Sequence, residues 1–311
     1  MLVDLDPQAN LSLHLDRPAQ GGDPSTYSVL TGATSFGESL RDTATEGLRL
    51  MSSHIDLSGA ELELANAYGR ELLLREAIDA WEQAEREGGG RAPADYVLID
   101  CPPSLGLLSV NGLVAAREVV IAVQTEFFAL QGMSKLVDVL SVLRRRLNPQ
   151  LETCGILACL YDSRLKLARE VLAEIRRYFP GQVFQRAVAK NVKLAEAPSY
   201  GQTIFEYAPS SPGASDYAEV AREILAQEAE RDPELAQRAS PASAEPTPRP
   251  GPKATTRPRP RKRAAAKRSD RPASSAPEPA GQEPDAEPPR PPQAEGDEAR
   301  DGAEERSEPA T

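Results

Sequence analysis

MLVDLDPQAN (residues 1–10) and YVLIDCPPS (residues 96–104) decide how this chain is read. Each is an aliphatic run that ends in aspartate and then enters a proline-containing turn. Short, continuously apolar runs suit strands buried on both faces, the form they take in parallel sheets. Residues 119–123 and 155–160 have the same character. Between these runs, Leu130, Met133, Val137, Leu140, Leu143 and Leu147 recur at three- or four-residue steps. That spacing predicts a helix ending near Asn148-Pro149, with Lys135, Asp138 and Arg144, Arg145 and Arg146 on its other face. A second helix is predicted over about residues 166–179, burying Leu167, Val171 and Ile175 and turning Arg169, Arg176 and Arg177 outward. The alternation implies an α/β fold, a mostly parallel sheet flanked by helices.

The 311 residues, 40% hydrophobic and 5% aromatic, suffice for one α/β domain of roughly 200 to 250 residues, or two smaller ones. From about Glu228 the composition changes: 17 of the 28 prolines lie beyond that point, with almost no large apolar side chains. Such a segment has too little to bury to offset its chain entropy. Residues 1–227 are therefore expected to form one folded domain and residues 228–311 a disordered tail. The three cysteines, Cys101, Cys154 and Cys159, are too sparse for a disulfide-stapled secreted domain and fit a reducing compartment. No run approaches the roughly 20 apolar residues that span a bilayer, and the N-terminus lacks a signal-peptide pattern. A cytoplasmic protein with no membrane segment is expected.

In an open parallel sheet, ligands gather beyond the carboxyl ends of the strands, so Asp4, Asp6 and Asp100 are candidates to converge on one crevice. Carboxylates there suit magnesium and its waters. An aspartate after a strand is also an ordinary turn former. Either motif alone leaves both readings open; the repetition favours a site. Pro7, Pro102 and Pro103 fix φ and stiffen the adjoining loops.

VDLDPQAN resembles the VDLDPQGN motif of the ParA/Soj branch of the deviant Walker ATPases. YVLIDCPPSLG resembles that family's Walker B segment. VQTEFFALQGMSKL, LNPQLETCGILACLYDSR, NVKLAEAPSYGQTI and a last helix from about Pro212-Gly213 follow in the family's order. The resemblance covers about residues 1–227 and implies a P-loop NTPase-like fold that uses ATP and Mg2+. It also implies a homodimer, nonspecific binding to double-stranded DNA, a nucleoid association and hydrolysis stimulated by a ParB/Spo0J-type partner during chromosome or plasmid partitioning. By the same resemblance Asp100 holds magnesium through water, Asp4 supports the metal shell and Asp6 positions or activates the attacking water. Asn191 sits where family members contact adenine, although the usual Pro-Arg-Asn reads Ala189-Lys190-Asn191 here. Arg164, in YDSR, and Lys193, in NVKL, occupy positions of DNA-contacting basic residues; the family more often has arginine at the second. These roles ask for positioning and charge compensation, which carboxylates and surface cations supply. Read alone, each cation can also be a solvated surface charge; the DNA-contacting reading is favoured at Arg164 and evenly balanced at Lys193.

A phosphate-binding loop needs a glycine-rich turn, a lysine for the phosphates and a serine or threonine for magnesium. No such stretch occurs in the 311 residues. Gly88-Gly89-Gly90 has no Lys-Ser/Thr after it and follows a helical pattern, so it reads as a linker. In the family the loop, its strand and its helix precede the VDLDPQ strand, and together amount to about 30 residues. The resemblance thus implies that they lie before Met1, and that the chain without them exposes apolar strand edges and helix faces. It further implies that this chain alone does not bind or hydrolyse ATP competently. A nonenzymatic remnant that keeps its partner surfaces is the competing reading. A MinD-like membrane ATPase would need a C-terminal amphipathic helix with apolar anchors, which the Pro-rich end contradicts.

The net charge of -11 averages unlike regions. Residues 249–268 carry nine Lys or Arg and no acid, whereas residues 277–311 carry eleven acids and three bases. The first block suits a DNA-binding arm and the second a competitor for it; a solubilising extension explains both equally well. His14 and His54 stand isolated from nucleophiles and acids at recognisable spacing, so both read as surface or helix-face residues. Cys154 and Cys159 lie on one apolar strand without a second pair and read as packing, as does Cys101.

Overall fold

The computed structural model describes residues 1–88 and 94–231. The basic block, the acidic end and Gly89-Gly90 lie outside the described residues.

Six strands are formed among the described residues: β1 (Leu2–Asp4), β2 (Leu40–Asp42), β3 (Arg49–Met51), β4 (Leu98–Asp100), β5 (Glu118–Gln124) and β6 (Glu152–Cys159). The helices are α1 (Asn10–His14), α2 (Thr26–Leu30), α3 (Leu57–Glu63), α4 (Leu73–Glu87), α5 (Leu107–Ala115), α6 (Ala129–Arg146), α7 (Lys166–Tyr178), α8 (Val192–Glu196), α9 (Ile204–Tyr207) and α10 (Pro212–Arg231). Short 3-10 turns cover Leu64–Asn66 and Ala197–Tyr200. One sheet has the order β2-β3-β1-β4, and a second pairs β5 with β6. All pairings are parallel except β2 with β3. The architecture is therefore α/β, with mostly parallel strands flanked by helices.

Three hydrophobic clusters lie against these sheets among the described residues, the smallest joining Cys154 and Leu157 of β6 to Phe184, Val188 and Val220 of α10. Val3 and Leu5 from β1 and its end pack with Met51, Leu57, Leu74 and Trp81, while Ile121, Val123 and Ile156 pack with Met133, Leu140, Leu143, Val171 and Ile175. Helix α5 serves both, giving Leu108 to the first and Leu113 and Val114 to the second. It approaches the strands closely at Gly112, where an added Cβ would stand 2.6 Å from Cys101 Sγ and 3.2 Å from Leu5 Cδ2.

The structure departs from the sequence reading in four places. The YVLID strand is not buried on both faces: β4 ends its sheet, and Leu98 is 62% exposed. Val120 of β5 is likewise exposed, and β5 also has one strand partner among the described residues. On α7 it is Ala168 and Leu172 that are buried with Val171 and Ile175, and Leu167 faces outward; Val137 of α6 does the same. Finally, the last helix runs beyond residue 227 to Arg231. Glu228 accepts a hydrogen bond from Tyr96 Oη at 2.6 Å, and Arg231 pairs with Glu118 at 2.5 Å. These contacts order four residues that composition alone assigns to the tail.

Candidate functional site

The two acidic strand ends are neighbours. β1 and β4 pair in parallel with Asp4 opposite Asp100, which brings both carboxylates to the carboxyl edge of one sheet. Asp6 follows two residues later, on the turn into α1. The backbone there is tied to β4 by Leu5 N–H, which donates to the Asp100 carbonyl at 2.9 Å.

The three carboxylates differ in their surroundings. Asp4 is completely buried, and its carboxylate accepts from Ser12 N–H (2.8 Å), Ser12 Oγ–H (2.6 Å) and Asp6 N–H (3.3 Å). Asp6 is half-buried and accepts from Gln8 N–H at 2.9 Å. Asp100 is exposed, and its side chain takes part in no hydrogen bond among the described residues. Desolvation by the atoms packed around it, then the charges of Asp4 and Asp6, hold its carboxyl above the usual range. Burial likewise raises Asp4, against the hydrogen bonds from Ser12 and Asp6, which favour its charged form.

A cluster of like charges with one uncommitted carboxylate is suited to a divalent cation. The residues fit magnesium held largely through water: Asp100 has a carboxylate free of hydrogen bonds, Asp4 keeps acceptor capacity on Oδ1 beside its three donors, and no three His, Cys, Asp or Glu side chains form a direct cage among the described residues. A cavity of about 590 Å³ lies against Asp100, lined also by Asn10, Leu11, Leu13, His14, Pro198 and Ser199. Its size is in the range of small-molecule sites. His14 Nε2 is 2.9 Å from the Gln202 carbonyl oxygen, and His54 Nδ1 is 3.0 Å from Asp56, a partner the sequence did not reveal.

Asn191 stands apart from these acids, at the N-cap of α8, where its Oδ1 accepts from Lys193 N–H at 2.8 Å. The segment leading to it is held by α10: Asp216, almost fully buried, accepts from Arg186 Nε (2.8 Å) and Ala189 N–H (2.9 Å). Arg164 and Lys193 are both exposed, and both are paired. Arg164 makes a two-point contact with Asp162 at 2.9 and 2.7 Å, and Lys193 Nζ meets Glu196 at 2.8 Å. The Arg164 contacts hold the Asp162 carboxyl down at about 2.

Comparison with known proteins gives the chain's family. The family described as AAA domain matches residues 1–153. The chromosome-partitioning ATPase Soj of Treponema pallidum is 40% identical over 231 residues, which cover 74% of this chain and 87% of that protein. The Soj ATPase of Thermus thermophilus is 42% identical over 226 residues, covering 73% and 83%. The chain belongs to the ParA/Soj family of chromosome-partitioning ATPases. Among solved structures, the cobyrinic acid a,c-diamide synthase of Mycobacterium smegmatis, with bound ATP analog and magnesium, is 32% identical with a TM-score of 0.56. That match covers 75% of this chain and 83% of the synthase chain.

In this ParA/Soj chain several polar residues around the acids escape a sequence reading. Ser12 on α1, Thr26 at the start of α2, and Ser52 and Ser53 just past β3 are all buried. Serine and threonine scattered through short segments look like loop surface, and their partners lie 8 to 41 residues away. No local pattern marks them. Among the described residues, no helix is long and apolar enough to cross a membrane.

Proposed function

We propose that this chain works in a magnesium-dependent ATPase of chromosome or plasmid partitioning, with ATP bound across the ends of β1 and β4. The observation that carries this reading is the register pairing of Asp4 with Asp100, with Asp6 on the adjoining turn. Asp100 and, from behind it, Asp4 would hold magnesium through water; the ion, when bound, supplies charge compensation for the phosphates. Asp6 keeps an oxygen free of the Gln8 contact and orients the attacking water or takes its proton. Asn191, its Oδ1 occupied by the helix cap, offers its NH2 to a ring nitrogen of adenine.

The phosphate-binding loop is read as part of a segment upstream of Met1. The edges of β4 and β5, which have no second strand partner among the described residues, support this: a parallel strand accepted there would carry a loop at its carboxyl end beside Asp100. The ATP-bound protein is read as a homodimer on the nucleoid that binds double-stranded DNA without sequence preference, through Arg164 and Lys193, and releases it when a ParB-type partner stimulates hydrolysis. Both cations are exposed, and each must exchange a carboxylate for a phosphate.

The test is hydrolysis of magnesium-ATP by the protein extended through the in-frame codons before Met1. Turnover by that protein, lost in its Asp6→Ala variant, is the expected result. A stop codon directly upstream, or an Asp6→Ala variant that keeps the parental rate, would overturn the reading. For DNA, Arg164→Ala and Lys193→Ala should each weaken binding across all sequences and lower the salt slope by about one.

A further inference from the structure

We propose that Asp4 and Ser12 form a positioning pair, in which Asp4 caps α1 from the neighbouring strand and thereby fixes the turn that carries Asp6. Helix α1 has no cap of its own. Its N-cap residue, Ala9, has no acceptor in its side chain and adopts φ 54° and ψ 32°, a left-handed conformation. The first N–H groups of a helix need partners from outside it. Ser12 is the third residue of α1, the position whose N–H a local serine or aspartate cap normally satisfies. Here that N–H donates to Asp4 Oδ2, eight residues back in sequence and on β1.

Asp4 holds both ends of the intervening turn. Its Oδ1 accepts from Asp6 N–H and its Oδ2 from Ser12 N–H and Oγ–H. Ser12 Oγ in turn accepts from Ser53 N–H at 2.9 Å, just past β3, and Thr26 Oγ1 donates to the Asp4 carbonyl at 2.7 Å. Asp4 and Ser12 are fully buried and Ser53 nearly so. The carboxylate is thus committed to the turn, and Asp6 sits between two fixed points. Besides its proposed place behind Asp100 in the magnesium shell, Asp4 acts on the attacking water through Asp6 and is in that respect a positioning residue; Ser12 is its partner. This rests on the proposed role of Asp6.

Hydrogen exchange on the full 311-residue chain tests the pairing without nucleotide, with peptides from residues 5–15 compared against β6 and α7 as internal references. Ser12→Ala and Asp4→Asn should each speed exchange in residues 5–15 by about tenfold or more, the scale of a lost hydrogen bond to a charged group. The double variant should be no faster than the faster single one. Unchanged exchange in that stretch, or effects that multiply in the double variant, would overturn the proposal. If the reference peptides also open in Ser12→Ala, the near-isosteric Ser12→Thr and Ser12→Val decide: protection kept with threonine and lost with valine supports the pair, and equal behaviour refutes it. In the extended protein, Ser12→Ala should lower kcat while KM for magnesium-ATP stays within about twofold, with Ser12→Thr restoring kcat; a raised KM at unchanged kcat counts against positioning. Failure of the parental protein to turn over ATP refutes the proposed function alone, since the exchange comparison does not use it.

Discussion

LVDLDPQ and YVLIDCPP are near-repeats in sequence, and their aspartates face each other across one strand pair, yet the two ends are built in opposite ways. The first is closed: Asp4 is sealed under hydroxyl and amide donors and organises the turn behind it. The second is open: Asp100 lies at the edge of the sheet beside a cavity, with Leu98 exposed two residues before it. The difference comes from neighbours. β1 has β3 on one side and β4 on the other, so its end meets Ser12 and Thr26, with Ser53 behind Ser12; among the described residues β4 has a partner on one side only. A shared sequence pattern therefore yields one residue that holds the site together and one that is available to a ligand.

The largest effect should appear when the closed end is broken. Asp4→Ala strands the buried Ser12 N–H and hydroxyl, and is expected to cost about 3 kcal/mol in urea unfolding. Asp100→Ala removes no hydrogen bond and relieves repulsion, so its unfolding midpoint should stay level or rise. Equal losses at the two positions would erase the contrast. Next in size is Gly112→Ala, behind both ends. The added methyl meets Cys101 Sγ and Leu5 Cδ2, and overpacking of this kind costs about 2 kcal/mol. Much of that loss should be recovered in Gly112→Ala/Cys101→Ala, because the shortest contact is to the sulfur.

A smaller and opposite change is expected at Ala9, on the closed end. Its φ of 54° is disfavoured for any residue with a Cβ. Ala9→Gly should stabilise the fold by about 1 kcal/mol, measured as a higher urea midpoint at unchanged slope. A lower midpoint would mean that the turn is not strained at Ala9.

How much of this was legible in the sequence follows from the range of each interaction. The repeated aliphatic-Asp-Pro pattern located β1 and β4 and the three acids, since strand, turn and proline are all local features. The helical stripe located α6, whose observed end at Arg146 is near the predicted stop at Asn148-Pro149. Strands β2 and β3 were not read, because three residues each are too few to show a period. The exposure of Leu98 was also hidden: hydrophobicity reports that a side chain suits burial, and not whether a second strand is present to bury it. The closed end depends on Ser53, 41 residues from Ser12, and on a carboxylate doing the work of a missing local cap. Such contacts exist only once the chain has folded.

The smallest effect is the one with the clearest pH signature. The folded-state pKa of Asp100 is raised, first by desolvation and then by Asp4 and Asp6. A raised folded pKa means that the folded form binds the proton more tightly than the unfolded chain. Stability from this group is therefore complete below the ordinary carboxylate pKa and is lost as pH rises through the folded value. Asp100→Asn removes that loss. Its thermal midpoint should exceed the parent's at neutral pH, and the gap should close as the pH falls below the ordinary carboxylate pKa. Because the carboxylate is exposed and screened, the gain should stay under about 1 kcal/mol. Magnesium supplies a second way to relieve the same repulsion, so adding it should raise the parent's midpoint and leave Asp100→Asn less affected. A magnesium response of equal size in both proteins would place the cation elsewhere and make Asp100 a turn residue only.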